Sequence, residues 1–164
     1  MQYPLSEEIG SPELFVGRKK ELAMIDEWVQ RIPGRLGKSK ALFSRKKGGK
    51  TSLLQRVFNR LWSDNGEVIP IFFSIVDTEI WLPDFAIKYY QIFASQYISF
   101  LERDEKLVEI PLTLEEIHEY GVKKSIKLFI NDLKSMTNYK SQSLYDSMWN
   151  TACTAPKRFS NFFD

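Results

Sequence analysis

The residues best suited to chemistry lie in one short stretch, Ser44-Arg45-Lys46-Lys47-Gly48-Gly49-Lys50-Thr51. It matches the phosphate-binding pattern G-x-x-x-x-G-K-[S/T] except at its first position, where serine replaces glycine. In such a loop, backbone N–H groups of the loop and of the following helix bind phosphate oxygens. Lys50 would add a point charge, and the Thr51 hydroxyl is a suitable Mg²⁺ ligand. This spacing predicts a site for a nucleotide with Mg²⁺.

The serine at the start of this loop predicts weaker binding rather than loss of the site. Serine adopts many loop conformations and adds only a small side chain, and the paired glycines that follow leave the loop adaptable. The predicted nucleotide-binding residues here are Ser44, Lys47, Gly48, Gly49, Lys50, Thr51 and Ser52, with Thr51 also the predicted metal ligand.

The elements around the loop follow from hydrophobic periodicity. Residues 40–44 and 67–76 are apolar runs that predict strands, the second buried on both faces. Helical spacing predicts helices over 15–30, 51–62 and 83–102, with loop chemistry over 31–40. The order strand, loop, helix, strand, helix predicts an α/β fold, a parallel sheet flanked by helices of the P-loop NTPase type.

The second half of the chain is predicted to be helical, and these helices would form an insert in a fold built on such a sheet. Thr113 and Glu116 form a capping-box pattern for a helix to about Tyr120, and a further helix is predicted over 124–136. Two short helices are predicted over 143–149 and 156–163. The long helix at 84–101 carries aromatic residues around most of its circumference, which predicts that it is largely buried.

The composition indicates where in the cell the protein is expected and which kind of ligand it could bind. The chain has 164 residues, one cysteine and no apolar run near the ~20 residues that span a bilayer, so we expect a cytoplasmic protein without a membrane partner. Residues 1–60 hold 13 lysines and arginines against 6 carboxylates, a balance that suits a polyanion, either nucleotide phosphates or nucleic acid. His118 and Cys153 have no partners at catalytic or metal spacing.

Two motifs together carry a family resemblance. Phe15-Val16-Gly17-Arg18 with Glu21-Leu22, followed by ALFSRKKGGKTSLLQR, resembles the AAA+-like P-loop ATPases of the STAND and archaeal-ATPase groups over about residues 11–160. The resemblance implies ATP and Mg²⁺ as cofactors. It also implies that Phe15, Val16 and Gly17 lie near the adenine base, with Arg18 close by. Phe15 and Val16 could equally be residues of the hydrophobic core without contact to a ligand.

Hydrolysis in that family needs a Walker B carboxylate at the end of an apolar strand. Asp77, at the end of FFSIVD, is a minor candidate for this catalytic role, and Asp132, at the end of KLFIND, is weaker still because its stretch has helical spacing. The expectation is therefore a leader over 1–13 and, over 14–164, the N-terminal portion of an ATPase domain that lacks Walker B and lid. Such a fragment would bind nucleotide with little hydrolysis.

Two other functions remain open from the sequence. The basic N-terminal third could serve a nucleic-acid-binding module, although no base-reading motif accompanies it. The aromatic helix at 84–101 could instead make the chain a non-catalytic oligomerisation piece, bound to itself or another protein through an exposed apolar patch.

Overall fold

A computed structural model describes residues 2–9, 13, 15–75 and 79–160 of the chain. Within these residues the regular structure is helical, and no strand forms. The helices are α1 (Lys19–Val29), α2 (Lys50–Asp64), α3 (Leu82–Glu102), α4 (Lys106–Glu109), α5 (Leu114–Lys123), α6 (Lys127–Ser141) and α7 (Tyr145–Ser160). They fall into two compact units, Met1–Phe72 and Phe73–Asp164.

The first unit is built on α1 and α2. Ile25 of α1 and Leu53 and Val57 of α2 are its buried centre, and the apolar residues packed around them are Phe15, Leu22, Trp28, Val29 and Leu61. The apolar face predicted for the first helix is thus the face that packs. Helix α2 follows the glycine-rich loop as predicted, and it ends at Asn65, which adopts a left-handed conformation.

The second unit packs α3 against α4, α5 and α7, and α6 against α5 and α7. Its core is a cluster of aromatic rings in which Phe159 of α7 lies 5.2 Å from Phe93, 5.1 Å from Tyr97 and 4.7 Å from Phe129, between ring centroids. The predicted capping box is present, with Glu116 N–H donating to the Thr113 hydroxyl and Thr113 N–H donating to the Glu116 carboxylate.

The predicted α/β fold with its parallel sheet is wrong for the described residues. Residues 40–44 form no regular structure and are exposed, with Phe43 93% accessible, and residues 67–75 form no ladder. A strand is stabilised by a neighbour that accepts and donates its backbone hydrogen bonds, and local apolar character does not supply one. Pro70, in the middle of the second run, also has no N–H to give.

The two short helices predicted near the end are one helix. Helix α7 runs unbroken from Tyr145 to Ser160 with Pro156 inside it. Pro156 removes one helical hydrogen bond, but Ala152, Ala155 and Phe159 on the same helix are fully buried, and this packing offsets the loss. The last residues of the predicted second helix lie outside the described residues.

The long aromatic helix is largely buried, as predicted, because its own unit covers it. Tyr90, Phe93 and Tyr97 are all less than 5% exposed. Among the large apolar residues of 84–101 only Leu101 is exposed, so the apolar patch expected on this helix is absent. Among the described helices, none combines the length and apolar character needed to cross a bilayer.

Candidate functional site

The glycine-rich loop (residues 44–51) forms a tight turn that leads directly into α2. Gly48 N–H donates to the Arg45 carbonyl at 3.0 Å, and Lys47 and Gly49 both have positive φ, 61° and 71°. Gly49 is the N-cap of α2 and supplies no capping side chain. The amides of the first helical turn are therefore uncapped by any side chain and point out of the helix, as an anion site requires.

Two features of the loop explain its glycines. A Cβ on Gly48 would lie 2.6 Å from the Ser44 hydroxyl and 2.8 Å from the Arg45 carbonyl oxygen, so only glycine fits. Gly49 is left-handed, a conformation that glycine adopts without strain. The serine that departs from the phosphate-binding pattern is thus packed against the next glycine of the loop.

Lys50 lies over the loop rather than pointing into solvent. Its Nζ donates to both the carbonyl and the hydroxyl oxygen of Ser44, each at 3.1 Å. The neighbouring cations Arg45, Lys46 and Lys47 are exposed. Within the described residues, none of these four cations forms a salt bridge with a carboxylate. The loop therefore carries uncompensated positive charge.

Arg18 joins the start of α1 to the loop. It is the left-handed N-cap of α1, with φ 54°, and its guanidinium donates to the Gly48 carbonyl and, at 2.8 Å, to Glu21. The hydrogen bond from Arg18 is the main reason that the pKa of Glu21 lies below its ordinary value. The structure thus brings one predicted residue of the first motif into contact with the second motif.

The other residues of the first motif line an open cavity of 560 Å³. Its walls are Phe15, Val16, Gly17, Lys19, Leu22, Arg56 and Arg60. The sequence analysis did not predict four of these wall residues, Lys19, Leu22, Arg56 and Arg60. The two arginines are four residues apart and so lie on one face of a predicted helix, and that spacing could have indicated them. The predicted base-side residues and the loop therefore meet through Gly17, which lines the cavity, and Arg18, which contacts the loop.

Both arginines of the cavity are paired with carboxylates. Arg56 donates to Glu7 Oε2 from Nε at 3.1 Å and from Nη2 at 2.8 Å. Arg60 pairs with Asp26, with Nη1 at 3.1 Å from Oδ2. Arg56 also stacks over the Phe15 ring, 4.6 Å from its centroid. The cavity consequently has apolar surface and two paired arginines, while Lys19 in its wall forms no ion pair with a described carboxylate.

Thr51, the predicted metal ligand, and its neighbour Ser52 lie half-buried in the first turn of α2. Asp77, the predicted candidate for catalysis, lies outside the described residues. Across the part of the chain that the structure describes, no cluster of three or more His, Cys, Asp or Glu side chains could hold a metal ion. Among predicted residues, Thr51 alone is left to contact Mg²⁺, and the remaining ligands would be phosphate oxygens and water.

Asp132, a weak sequence candidate for the Walker B carboxylate, instead belongs to a partly buried ion pair. It lies on α6 in the second unit, where its carboxylate accepts hydrogen bonds from Arg158 at 2.6 Å and from Tyr90 at 3.1 Å. Burial raises its pKa above the ordinary value despite this ion pair. His118 is exposed on α5.

In comparisons with known proteins, no family model, no curated protein and no solved structure matches this chain. The identification as an AAA+-like P-loop ATPase of the STAND group is therefore wrong on two grounds. No family match supports it, and the described residues contain none of the strands on which that fold depends. A glycine-rich loop before a helix occurs here without the sheet that normally precedes it.

Proposed function

We propose that the first unit binds a nucleotide, with its phosphates on the glycine-rich loop and its ring in the cavity. ATP with Mg²⁺ is the ligand to test first. The proposal concerns this loop and this cavity alone. It does not depend on a sheet or on membership of an ATPase family.

The observation that carries the proposal is the cluster of exposed cations on the loop, beside a cavity in which two of the three cations are paired. Lys50 and its loop neighbours have no carboxylate partners among the described residues, whereas Arg56 and Arg60 are paired with Glu7 and Asp26 and Lys19 of the cavity wall is not. Phosphate is attracted to uncompensated cations and to helix N–H groups. An uncharged ring is better suited to a cavity with Phe15 and Leu22 in its walls.

The spacing of the two parts also suits one extended ligand. Arg56 follows Lys50 by six residues on α2, a rise of about 9 Å along the helix axis. Gly17 and Arg18 join the cavity to the loop over a single peptide bond. A ligand with phosphates at one end and a ring at the other could therefore contact both parts.

Isothermal titration of the full chain with ATP and Mg²⁺ tests the proposal. Lys50→Ala removes a charge-assisted contact worth about 1.5–3 kcal/mol, which is roughly a 10- to 150-fold loss of affinity. Lys38→Ala removes an exposed lysine outside the loop and should bind like wild type. Equal binding by wild type and Lys50→Ala, or binding by neither, would show that the loop is no nucleotide site.

A second candidate function rests on one separate observation. Phe43 is 93% exposed and is followed in the chain by the exposed cations Arg45 and Lys46. An exposed aromatic ring among cations can stack on a base of single-stranded nucleic acid, a contact worth about 1–3 kcal/mol. Binding of a labelled oligonucleotide should then weaken steeply with added salt and in Phe43→Ala, but not in Leu36→Ala. A flat salt response would exclude this function.

The setting of this activity is also a proposal. A single cysteine, half-buried Cys153, and a nucleotide ligand both fit the reducing cytoplasm. Retention of the thiol in the free form on purification without reductant would support this location, and a quantitative disulfide-linked dimer would contradict it.

A further inference from the structure

Residues 28–63 of the first unit carry charge of one sign. They include ten lysines and arginines and no aspartate or glutamate. The part over residues 33–47, here called the basic segment, forms neither helix nor strand, and every residue in it is exposed. Within the described residues, neither Lys38 nor Lys40 forms a salt bridge with a carboxylate. The basic segment therefore presents clustered positive charge to its surroundings.

Three large apolar side chains lie on the same basic segment and are also exposed. Phe43 is 93% exposed, Leu36 is 73% exposed and Leu42 is 38% exposed, so they lie in solvent rather than in the core of the first unit. Apolar surface is unfavourable in water, and a group of such side chains in one exposed segment indicates an interaction surface. The surface on this segment combines positive charge with apolar side chains.

Hydrogen bonds to α1 hold the middle of the basic segment in place. The indole N–H of Trp28 donates to the Lys38 carbonyl at 2.6 Å, and Lys40 Nζ donates to the Met24 carbonyl at 3.5 Å. These contacts fix the segment beside α1 but use none of its three exposed apolar side chains. Those side chains are therefore available to a partner.

We propose that the basic segment binds the surface of a bilayer containing anionic lipids, with its cations at the headgroups and Leu36, Leu42 and Phe43 inserted beside them. The inference does not rest on nucleotide binding by the loop. An anionic membrane surface attracts clustered lysines and arginines, and inserted apolar side chains add a second contribution that does not depend on charge. The backbone stays at the hydrated headgroups, because an irregular segment has no internal partners for its N–H and C=O groups in hydrocarbon.

Two features favour a bilayer over single-stranded nucleic acid as the partner of this segment. Leu36 and Leu42 are aliphatic, and an aliphatic side chain has no ring on which a base could stack. The segment also has no regular structure, and a fluid lipid surface accepts inserted side chains without a matching shape. The expectation of no membrane partner came from the lack of an apolar run that could cross a bilayer, whereas binding at the surface needs no such run.

Cosedimentation of the full chain with lipid vesicles tests the proposal. We expect binding to phosphatidylcholine vesicles with about 30% phosphatidylserine, weakened by added salt, and little binding to phosphatidylcholine alone. Leu36→Ser should weaken binding about tenfold and Lys38→Gln about fivefold, because one removes an inserted side chain and the other a charge. The matched controls are Leu144→Ser and Lys134→Gln, which change an exposed leucine and an exposed lysine of the second unit and should bind like wild type. Equal binding to charged and neutral vesicles, or equal binding by Leu36→Ser and Leu144→Ser, would overturn the inference.

Substitutions of Phe43 distinguish a bilayer from nucleic acid. Leucine inserts into lipid but offers no ring to a base, so Phe43→Leu should bind the anionic vesicles better than Phe43→Ser. Equal losses in these two variants would show that the ring itself is required and would overturn the inference. So would tighter binding of a labelled single-stranded oligonucleotide than of the vesicles at the same salt, unaffected by Leu36→Ser.

Hydrogen exchange of the wild-type chain locates the contact without any substitution. Anionic vesicles should slow amide exchange in residues 36–44 and leave the amides of α6 unchanged. Unchanged exchange in residues 36–44 of the vesicle-bound chain would contradict the proposal. Because Leu36 lies outside the proposed nucleotide site, Leu36→Ser should bind ATP like wild type, so vesicle binding and nucleotide binding are tested separately.

Discussion

The ammonium group of Lys50 is held by Ser44, through the carbonyl and the hydroxyl oxygen of that one residue, both at 3.1 Å. The residue that breaks the phosphate-binding pattern is thus a direct partner of the residue that best fits it. Ser44 thus holds the ammonium group that the proposed phosphate contact would use. We therefore expect the departure from glycine to affect that binding through competition for Lys50 as well as through loop geometry.

Removal of the Ser44 hydroxyl should strengthen nucleotide binding. To contact phosphate, Lys50 must break its hydrogen bonds to Ser44, and in Ser44→Ala there is one fewer to break. A hydrogen bond of this kind contributes about 1 kcal/mol, which corresponds to roughly a fivefold change in affinity. Calorimetry with ATP and Mg²⁺ measures the change. Ser39→Ala removes an exposed hydroxyl before the loop and should have no effect; weaker binding by Ser44→Ala would mean that the hydroxyl supports the ligand.

A side chain at Gly48 should weaken ATP binding. In Gly48→Ala the new Cβ meets the Ser44 hydroxyl at 2.6 Å and the Arg45 carbonyl at 2.8 Å, so the loop must open, at a strain of about 1–3 kcal/mol. We expect a loss of ATP affinity of roughly 5- to 150-fold in calorimetry. Gly66→Ala is the matched control, because nothing lies within 4 Å of its added Cβ. Unchanged binding by Gly48→Ala would contradict the loop geometry.

Turnover of bound nucleotide should remain at background. Binding uses the loop amides, Lys50 and Thr51, whereas hydrolysis needs a carboxylate that positions metal and water. Because Asp132 is paired with Arg158, Asp77 is the sequence candidate that remains for that role. We expect Asp77→Asn to release phosphate at the same rate as wild type in a coupled assay. Clear turnover that both Lys50→Ala and Asp77→Asn abolish would identify Asp77 as the catalytic acid.

The stability of the second unit should depend on the charge of Asp132. Burial is the dominant cause that raises its pKa in the native state, and it outweighs the hydrogen bonds from Arg158 and Tyr90. A raised native pKa means that this group's stabilising contribution is present below the ordinary aspartate pKa of about 3.9 and is lost as pH rises through the native value.

Urea unfolding between about pH 3 and 7 measures this contribution. The stability of wild type relative to Asp132→Asn should fall as pH rises through this range, by about 1.4 kcal/mol for each unit of pKa shift. Asp146→Asn, an exposed carboxylate on α7, should show no such trend relative to wild type. A relative stability of wild type that increases with pH would mean that the ion pair with Arg158 outweighs burial.

Local features of the sequence were sufficient to predict most helices. The apolar spacing of Leu22, Ile25 and Val29 and the pair of Thr113 and Glu116 act within a few residues, and the corresponding helices α1 and α5 are present. Helix α3 begins at Leu82, one residue before the predicted start, with Pro83 in its first turn. The tight turn before α2 also follows from adjacent residues, since Gly48 and Gly49 alone permit it.

The strands, the cavity and its charge depended on contacts between distant residues. An apolar run becomes a strand only when a partner pairs with its backbone, and neither 40–44 nor 67–75 finds one among the described residues. The pairing of Arg56 with Glu7 joins positions 49 residues apart, through an N-terminal segment that its sequence marked only as a leader. The sequence by itself thus determined the helices and the turn of the loop, because those follow from neighbouring residues. The tertiary structure decided which arginines are paired, because charge compensation depends on which carboxylates folding brings within contact.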